Sequence, residues 1–174
     1  ISQSVTGTTT CGTVVNLVVS SGQPTVPNVV GEAQAAAIAA ITAVANISYG
    51  SSTTECSDTV AAGNVISQSV TGTTTCGTVV NLVVSSGQPT VPDVTGQAEA
   101  AAIAAITAVA NISYGSSLTE CSDTVAAGNV ISQSAAGTVS CGTIVNLVVS
   151  SGQPTVPDVV GETQAAAIAA ITAV

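Results

Sequence analysis

A segment of 65 residues recurs along this chain with almost no change, and that repetition constrains the fold more than any single motif. ISQS begins at Ile1, Ile66 and Ile131, and GQPTVP begins at Gly22, Gly87 and Gly152, always 65 residues apart. Residues 26–90 and 91–155 differ at ten positions, most of them conservative, such as Val79 against Ile144. The period is the length of one small domain, so the pattern reads as a tandem array of near-identical modules. Residues 1–25 correspond to the last part of a repeat, 26–90 and 91–155 are complete repeats, and 156–174 match the opening part. Both ends fall inside a repeat, and we expect an excerpt of a longer polypeptide or polymer.

Composition removes whole classes of function. Lys, Arg, His, Phe, Trp and Met are absent, and nine carboxylates give a formal charge of −9. Nucleic acid is disfavoured as a partner, because phosphate needs cationic side chains to neutralise it. Imidazole-based metal sites and acid–base chemistry are excluded. Mean hydropathy is +0.63. Yet the longest apolar run, Ala35 to Ile41, is far shorter than the ~18–20 residues that span a bilayer. No membrane-spanning segment, cofactor motif, metal site or catalytic residue is expected. Ser and Thr hydroxyls lack a His or Lys to activate them, so the chain is not read as an enzyme.

Each repeat reads as one helix followed by three strands. Val26-Pro27-Asn28-Val29-Val30-Gly31 opens it as an extended piece with a turn at the glycine. Residues 33–45, rich in alanine, form the helix, with Ile38, Ile41 and Val44 facing the core beside Ala37 and Ala45. Strands follow over 46–54, 64–70 and 78–85, the last almost wholly β-branched. Asp58 to Gly63 is a loop, and Thr71 to Thr74 turns into the third strand. One helix on one face of a small sheet is an α+β layer solution.

Cysteine occurs twice per complete repeat, at Cys56 and Cys76 and at Cys121 and Cys141, 20 residues apart; Cys11 repeats Cys76. A module without large core side chains is marginal on burial alone. We therefore expect disulfides within each repeat, Cys56 with Cys76 and Cys121 with Cys141, each closing a loop worth about 3 kcal/mol. Buried free thiols are the alternative. CxxC spacing is missing, which argues against zinc.

The strings Val156-Pro157-Asp158-Val159, Asp58-Thr59-Val60, Gly63-Asn64-Val65-Ile66-Ser67-Gln68-Ser69 and Val80-Asn81-Leu82-Val83-Val84-Ser85 together resemble PASTA domains. These are the tandem extracellular repeats of penicillin-binding proteins and bacterial Ser/Thr kinases. The resemblance covers essentially the whole chain and implies a helix packed on a three-stranded sheet, strung in linear arrays outside the cell and often associated with cell-wall recognition. The chain departs from the family in having no basic residues, in carrying paired cysteines, and in placing Ala33 and Ala98 at the helix cap, with Thr163 only in the third copy.

Several surface features bear on function. Ala35, Ala36, Ala39, Ala40 and Ala43, repeated as Ala100, Ala101, Ala104, Ala105 and Ala108, form a smooth helix face opposite the isoleucines. Alanine is also simply a strong helix former, but five buried methyls offer about 4 kcal/mol per contact before ordering costs, and array contacts add through multivalency. We read this face as an inter-module interface. The linker Ser85 to Pro92 is short and holds two prolines, which makes it semi-extended. An axial advance on the order of 30–45 Å per module is expected. Glu55 and Asp58, with Glu120 and Asp123, flank the loop cysteines. They suit an Asx turn and a solvated charge better than a calcium site, which needs more ligands. Asn46-Ile47-Ser48 and Asn111-Ile112-Ser113 fit the N-glycosylation pattern, while the same asparagines suit a left-handed position after the helix. Thr73 and Thr74 are candidates for O-linked sugar.

Two functions follow. One is a structural segment of an extracellular filament, stalk or surface fibre built from copies of itself, bearing covalent glycan, secreted or on a bacterial cell surface. A chain without Lys or Arg offers trypsin-type proteases no cleavage site, which suits that role. The other is a cell-wall or glycan-binding ectodomain array.

Overall fold

The computed structural model describes residues 1–173. In chain order the elements are β1 (Ser2–Gln3), β2 (Leu17–Val18), β3 (Thr25–Val26), α1 (Gln34–Thr42), β4 (Ile47–Glu55), β5 (Val65–Gln68), β6 (Gly72–Thr73) and β7 (Thr78–Ser85). The next repeat gives β8 (Thr90–Val91), α2 (Glu99–Thr107), β9 (Ile112–Glu120), β10 (Val130–Gln133), β11 (Gly137–Thr138) and β12 (Thr143–Ser150), and α3 (Gln164–Thr172) follows. The chain divides into two compact units. One comprises Ile1–Thr54 with Gly63–Val84; the other comprises Glu55–Ala62 with the residues from Ser85 onward.

Each complete repeat is mixed α/β, one helix with a three-stranded sheet ordered β4-β7-β5 or β9-β12-β10. The central strand β12 runs antiparallel to β10 and parallel to β9, with Thr143 opposite Ile112 at one end and Ser150 opposite Glu120 at the other. A two-residue ladder ties the opening strand to the segment expected to be only a turn: Thr25 lies opposite Thr73, and Thr90 opposite Thr138. No described helix is long and apolar enough to cross a membrane.

The helix is nine residues long, shorter than an isolated helix can sustain in water, so packing must hold it. Ala37 and Ile41 are fully buried, with Ile38 and Ala40 packed at the edge of the core. Val44 is half-buried, and Ala45 is exposed rather than core-facing. Neither Ala33 nor Ala98 caps its helix through a side chain, whereas the Thr163 hydroxyl accepts from the Ala166 N–H of α3. The core of the first repeat is Val26, Val29, Ala37, Ile41, Val65, Val80, Leu82 and Val84, and the second repeats it from Val91 to Val149. Burial depends on having all the layers: Leu82 is 1% exposed while its equivalent Leu17 is 61% exposed, and Ile41 is 0% exposed while Ile171 is 50% exposed.

Side-chain amides close the gaps that a small sheet leaves. Gln68 accepts from the Val29 N–H (2.6 Å) and donates to the Pro27 and Val70 carbonyls (2.9 and 2.7 Å), so one residue pins the opening strand against β5. Gln133 makes the same set with Val94, Pro92 and Ala135. At the β9–β12 irregularity, Asn146 Oδ1 accepts from the Ser116 N–H (3.0 Å) beside Gly115. A Cβ on Gly115, or on its equivalent Gly50, would overlap the asparagine amide and the neighbouring Ile144 or Val79 side chain. Gly115→Ala is therefore expected to cost about 1–3 kcal/mol through overpacking. Denaturant unfolding should record it as a lower midpoint, and an unchanged midpoint would contradict the steric account.

Candidate functional site

The loop after β4 is the most elaborated site in the chain. Its first residues leave the sheet beside the linker, where the Ser86 N–H donates to the Glu55 carbonyl (2.8 Å). The Ser57 hydroxyl accepts from the Thr59 and Val60 N–H groups, folding the loop on itself. Buried Ser85 donates to the Val60 carbonyl (2.7 Å) and accepts from the Gly87 N–H (2.9 Å). Gly87 takes a positive φ of 74° and packs against Ala62, leaving little room for a side chain.

Cys56 forms a disulfide with Cys141, 85 residues away, with their Cα atoms 6.0 Å apart. Both belong to the second compact unit, which takes in the loop Glu55–Ala62. Asp58 secures the same junction: its Oδ1 accepts from the Cys141 N–H (2.9 Å) and lies 3.4 Å from Gln88 Nε2. The expected pairings Cys56–Cys76 and Cys121–Cys141 are thus corrected. Cys76 and Cys121 are free and exposed, as is Cys11. The physical reason is the parallel alignment of β9 and β12. Cys121 follows the C-terminal end of β9 and Cys141 precedes the N-terminal end of β12, so some eight residues of extended strand, roughly 26 Å, separate the two levels. A disulfide needs Cα atoms within about 7 Å. The loop cysteine of one repeat can therefore reach only the turn cysteine of another.

The remaining expected sites fall as follows. Asn46 and Asn111 are exposed and take positive φ values of 65° and 64°, the left-handed position after the helix. Thr73 is exposed, whereas Thr74 is half-buried with its hydroxyl 2.8 Å from that of Thr78. Ala35, Ala36, Ala39 and Ala43 are exposed, as are Ala100, Ala101, Ala104 and Ala108; Ala40 and Ala105 are instead half-buried against their own cores. Asp58 is not an Asx-turn residue. That role belongs to Asn28, Asp93 and Asp158, whose Oδ1 atoms accept from Val30, Thr95 and Val160 N–H groups. The Thr95 N–H, followed by its hydroxyl, holds the Asp93 carboxyl below the usual aspartate range. Among the described residues no three acidic or thiol side chains gather as a metal site.

Closing an 85-residue loop restricts the unfolded chain by about 4.5 kcal/mol on the chain-entropy account. Cys56→Ser and Cys141→Ser should each lower the stability of the second unit by about 3–5 kcal/mol. The double variant should lose no more than either single one. Additive losses in denaturant titrations would contradict the pairing.

The PASTA domain family matches residues 24–86 and 89–151. A search of curated proteins finds no match. Among solved structures, the chain is similar to the entire extracellular region of the Ser/Thr kinase PrkC from Staphylococcus aureus, at 26% identity and a TM-score of 0.47 over 82% of this chain. It spans about half, 52%, of that chain's length. A three-PASTA-domain structure of a Ser/Thr kinase from Staphylococcus aureus matches at 18% identity and a TM-score of 0.40, covering 83% of this chain and 75% of that one. With two complete domain matches that together take in most of its length, the chain belongs to the PASTA domain family.

Proposed function

We propose that the chain is a structural segment of an extracellular filament, stalk or surface fibre, in which PASTA modules are strung in a line and locked to one another covalently. The observation that carries this reading is the Cys56–Cys141 disulfide, which joins the loop of one repeat to the turn of the next. A crosslink of that kind adds nothing to the core of a single module; its effect is on the junction. Disulfides persist in oxidising compartments, in keeping with placement outside the cell. The exposed alanine faces of α1 and α2 supply a smooth surface for lateral contact with further copies, and exposed Asn46, Asn111 and Thr73 remain open to sugar. No catalytic role is assigned, because no hydroxyl has a neighbouring base.

The family also favours recognition of cell-wall glycan as a second reading. A glycan binder would need a polar or aromatic groove, whereas the hollow beside the loop is lined by Ser57 to Ala62, Ser86, Gly87, Gln88 and Thr138, with no aromatic or cationic side chain. Electron microscopy of secreted material separates the two. Fibres whose axial repeat equals one module or a small multiple are the expected result. Discrete rods that sediment with cell-wall sacculi would overturn the structural reading in favour of the second.

A further inference from the structure

The two incomplete repeats carry complementary halves of one module. In the complete repeat 26–90, Val26, Val29, Ala37 and Ile41 from the opening half bury against Val65, Val80, Leu82 and Val84 from the closing half. Residues 156–174 hold the first four positions again, as Val156, Val159, Ala167 and Ile171. Residues 1–25 hold three of the other four, as Val15, Leu17 and Val19. None of these seven is buried, and Val15, Leu17, Val19, Val156 and Ile171 are exposed. The missing piece is chiefly the counterpart of β4, which lies at the edge of the sheet rather than at its centre.

We propose that this surface is an interface with a second copy of the chain: the 156–174 half of one copy docks on the 1–25 half of the next, and Cys121 of the first forms a disulfide with Cys11 of the second. The proposal deepens the fibre reading above by naming its partner and its end-to-end contact. The repeat arithmetic supplies an independent observation. Cys56 is bonded to the turn cysteine one repeat ahead, Cys121 is the equivalent of Cys56, and Cys11 is the equivalent of Cys141. In a composite module made this way, Cys11 occupies the turn one repeat beyond Cys121. The hollow at the first loop includes Thr138 from the following repeat, while the hollow at Ser122 to Ala127 is lined by its own repeat alone. Both thiols are exposed.

The bond forms by exchange with a small disulfide such as oxidised glutathione. One thiolate attacks it and releases a glutathione thiol. The second thiolate then attacks the mixed disulfide and releases the other. Two protein S–H bonds are lost, one S–S bond forms, and two electrons and two protons end on glutathione.

The test uses variants that all keep Cys56 and Cys141. Cys11→Ser/Cys76→Ser leaves only Cys121 free; Cys76→Ser/Cys121→Ser leaves only Cys11. After incubation with oxidised glutathione, each alone is expected to run as a monomer on a non-reducing gel, and the mixture as a one-to-one dimer that dithiothreitol splits. Leu17→Asp in the second variant should abolish the dimer, since the residue is exposed in the single chain and buried only by docking. No dimer in the mixture overturns the proposal. So does equal crosslinking of either variant with itself, or a dimer indifferent to Leu17→Asp, because both outcomes describe random thiol encounter. Secreted fibres seen by microscopy without this dimer would sink the end-to-end contact and leave the fibre reading standing.

Discussion

The parallel pairing of the first and last strands of the sheet governs how this chain can be crosslinked. Because β9 and β12 run in the same direction, the residue after one and the residue before the other lie at opposite ends of the module. Cysteines at those two places cannot meet within a repeat. They face outward in opposite directions along the strands, and the loop cysteine Cys56 finds the turn cysteine Cys141 of the next repeat. A pattern of two cysteines per repeat that would ordinarily staple a domain internally becomes, through strand direction alone, a device for joining domains.

The modules themselves are built with little to spare. No Phe, Trp or Met is present, so the core consists of valine, isoleucine, leucine and alanine around a nine-residue helix. Small side chains bury modest area each, and the polar groups near the core are correspondingly well used. Gln68 and Gln133 each satisfy three backbone groups where the sheet has no strand to do so. Among the described residues no buried side-chain polar atom lacks a partner. Leaving such groups unpaired costs about 1–3 kcal/mol each, which a core of this size would not offset. The half-repeats at the two ends show the same dependence, since identical residues are buried in one copy and open in another.

Much of the fold was legible from pattern. The alanine-rich helix, the three strands, the turn glycines and the left-handed asparagines at 46 and 111 follow from local propensity and period, and the structure places them within a few residues. What was not legible depends on tertiary direction. Gly50 reads as an ordinary strand glycine until the Asn81 amide is seen beside it, and Gln68 looks like a solvated strand residue until Val29 is placed above it. The disulfide pairing was misread for the same reason. Sequence proximity favours Cys56 with Cys76, and only the sense of the first strand relative to the third forbids it. The expected order of helix and three strands already held the clue, because a first strand beside a third, with a second on the far side, leaves the outer pair antiparallel to neither rule nor turn and free to run parallel to the centre.

The most direct test of the account is mass spectrometry of the oxidised, unreduced chain after cleavage at glutamate. Cleavage there separates residues 56–99, which hold Cys56 and Cys76, from residues 121–162, which hold Cys121 and Cys141. The account predicts one species in which these two peptides are joined, released as two on reduction. Two separate peptides, each closed by its own internal disulfide, would contradict it.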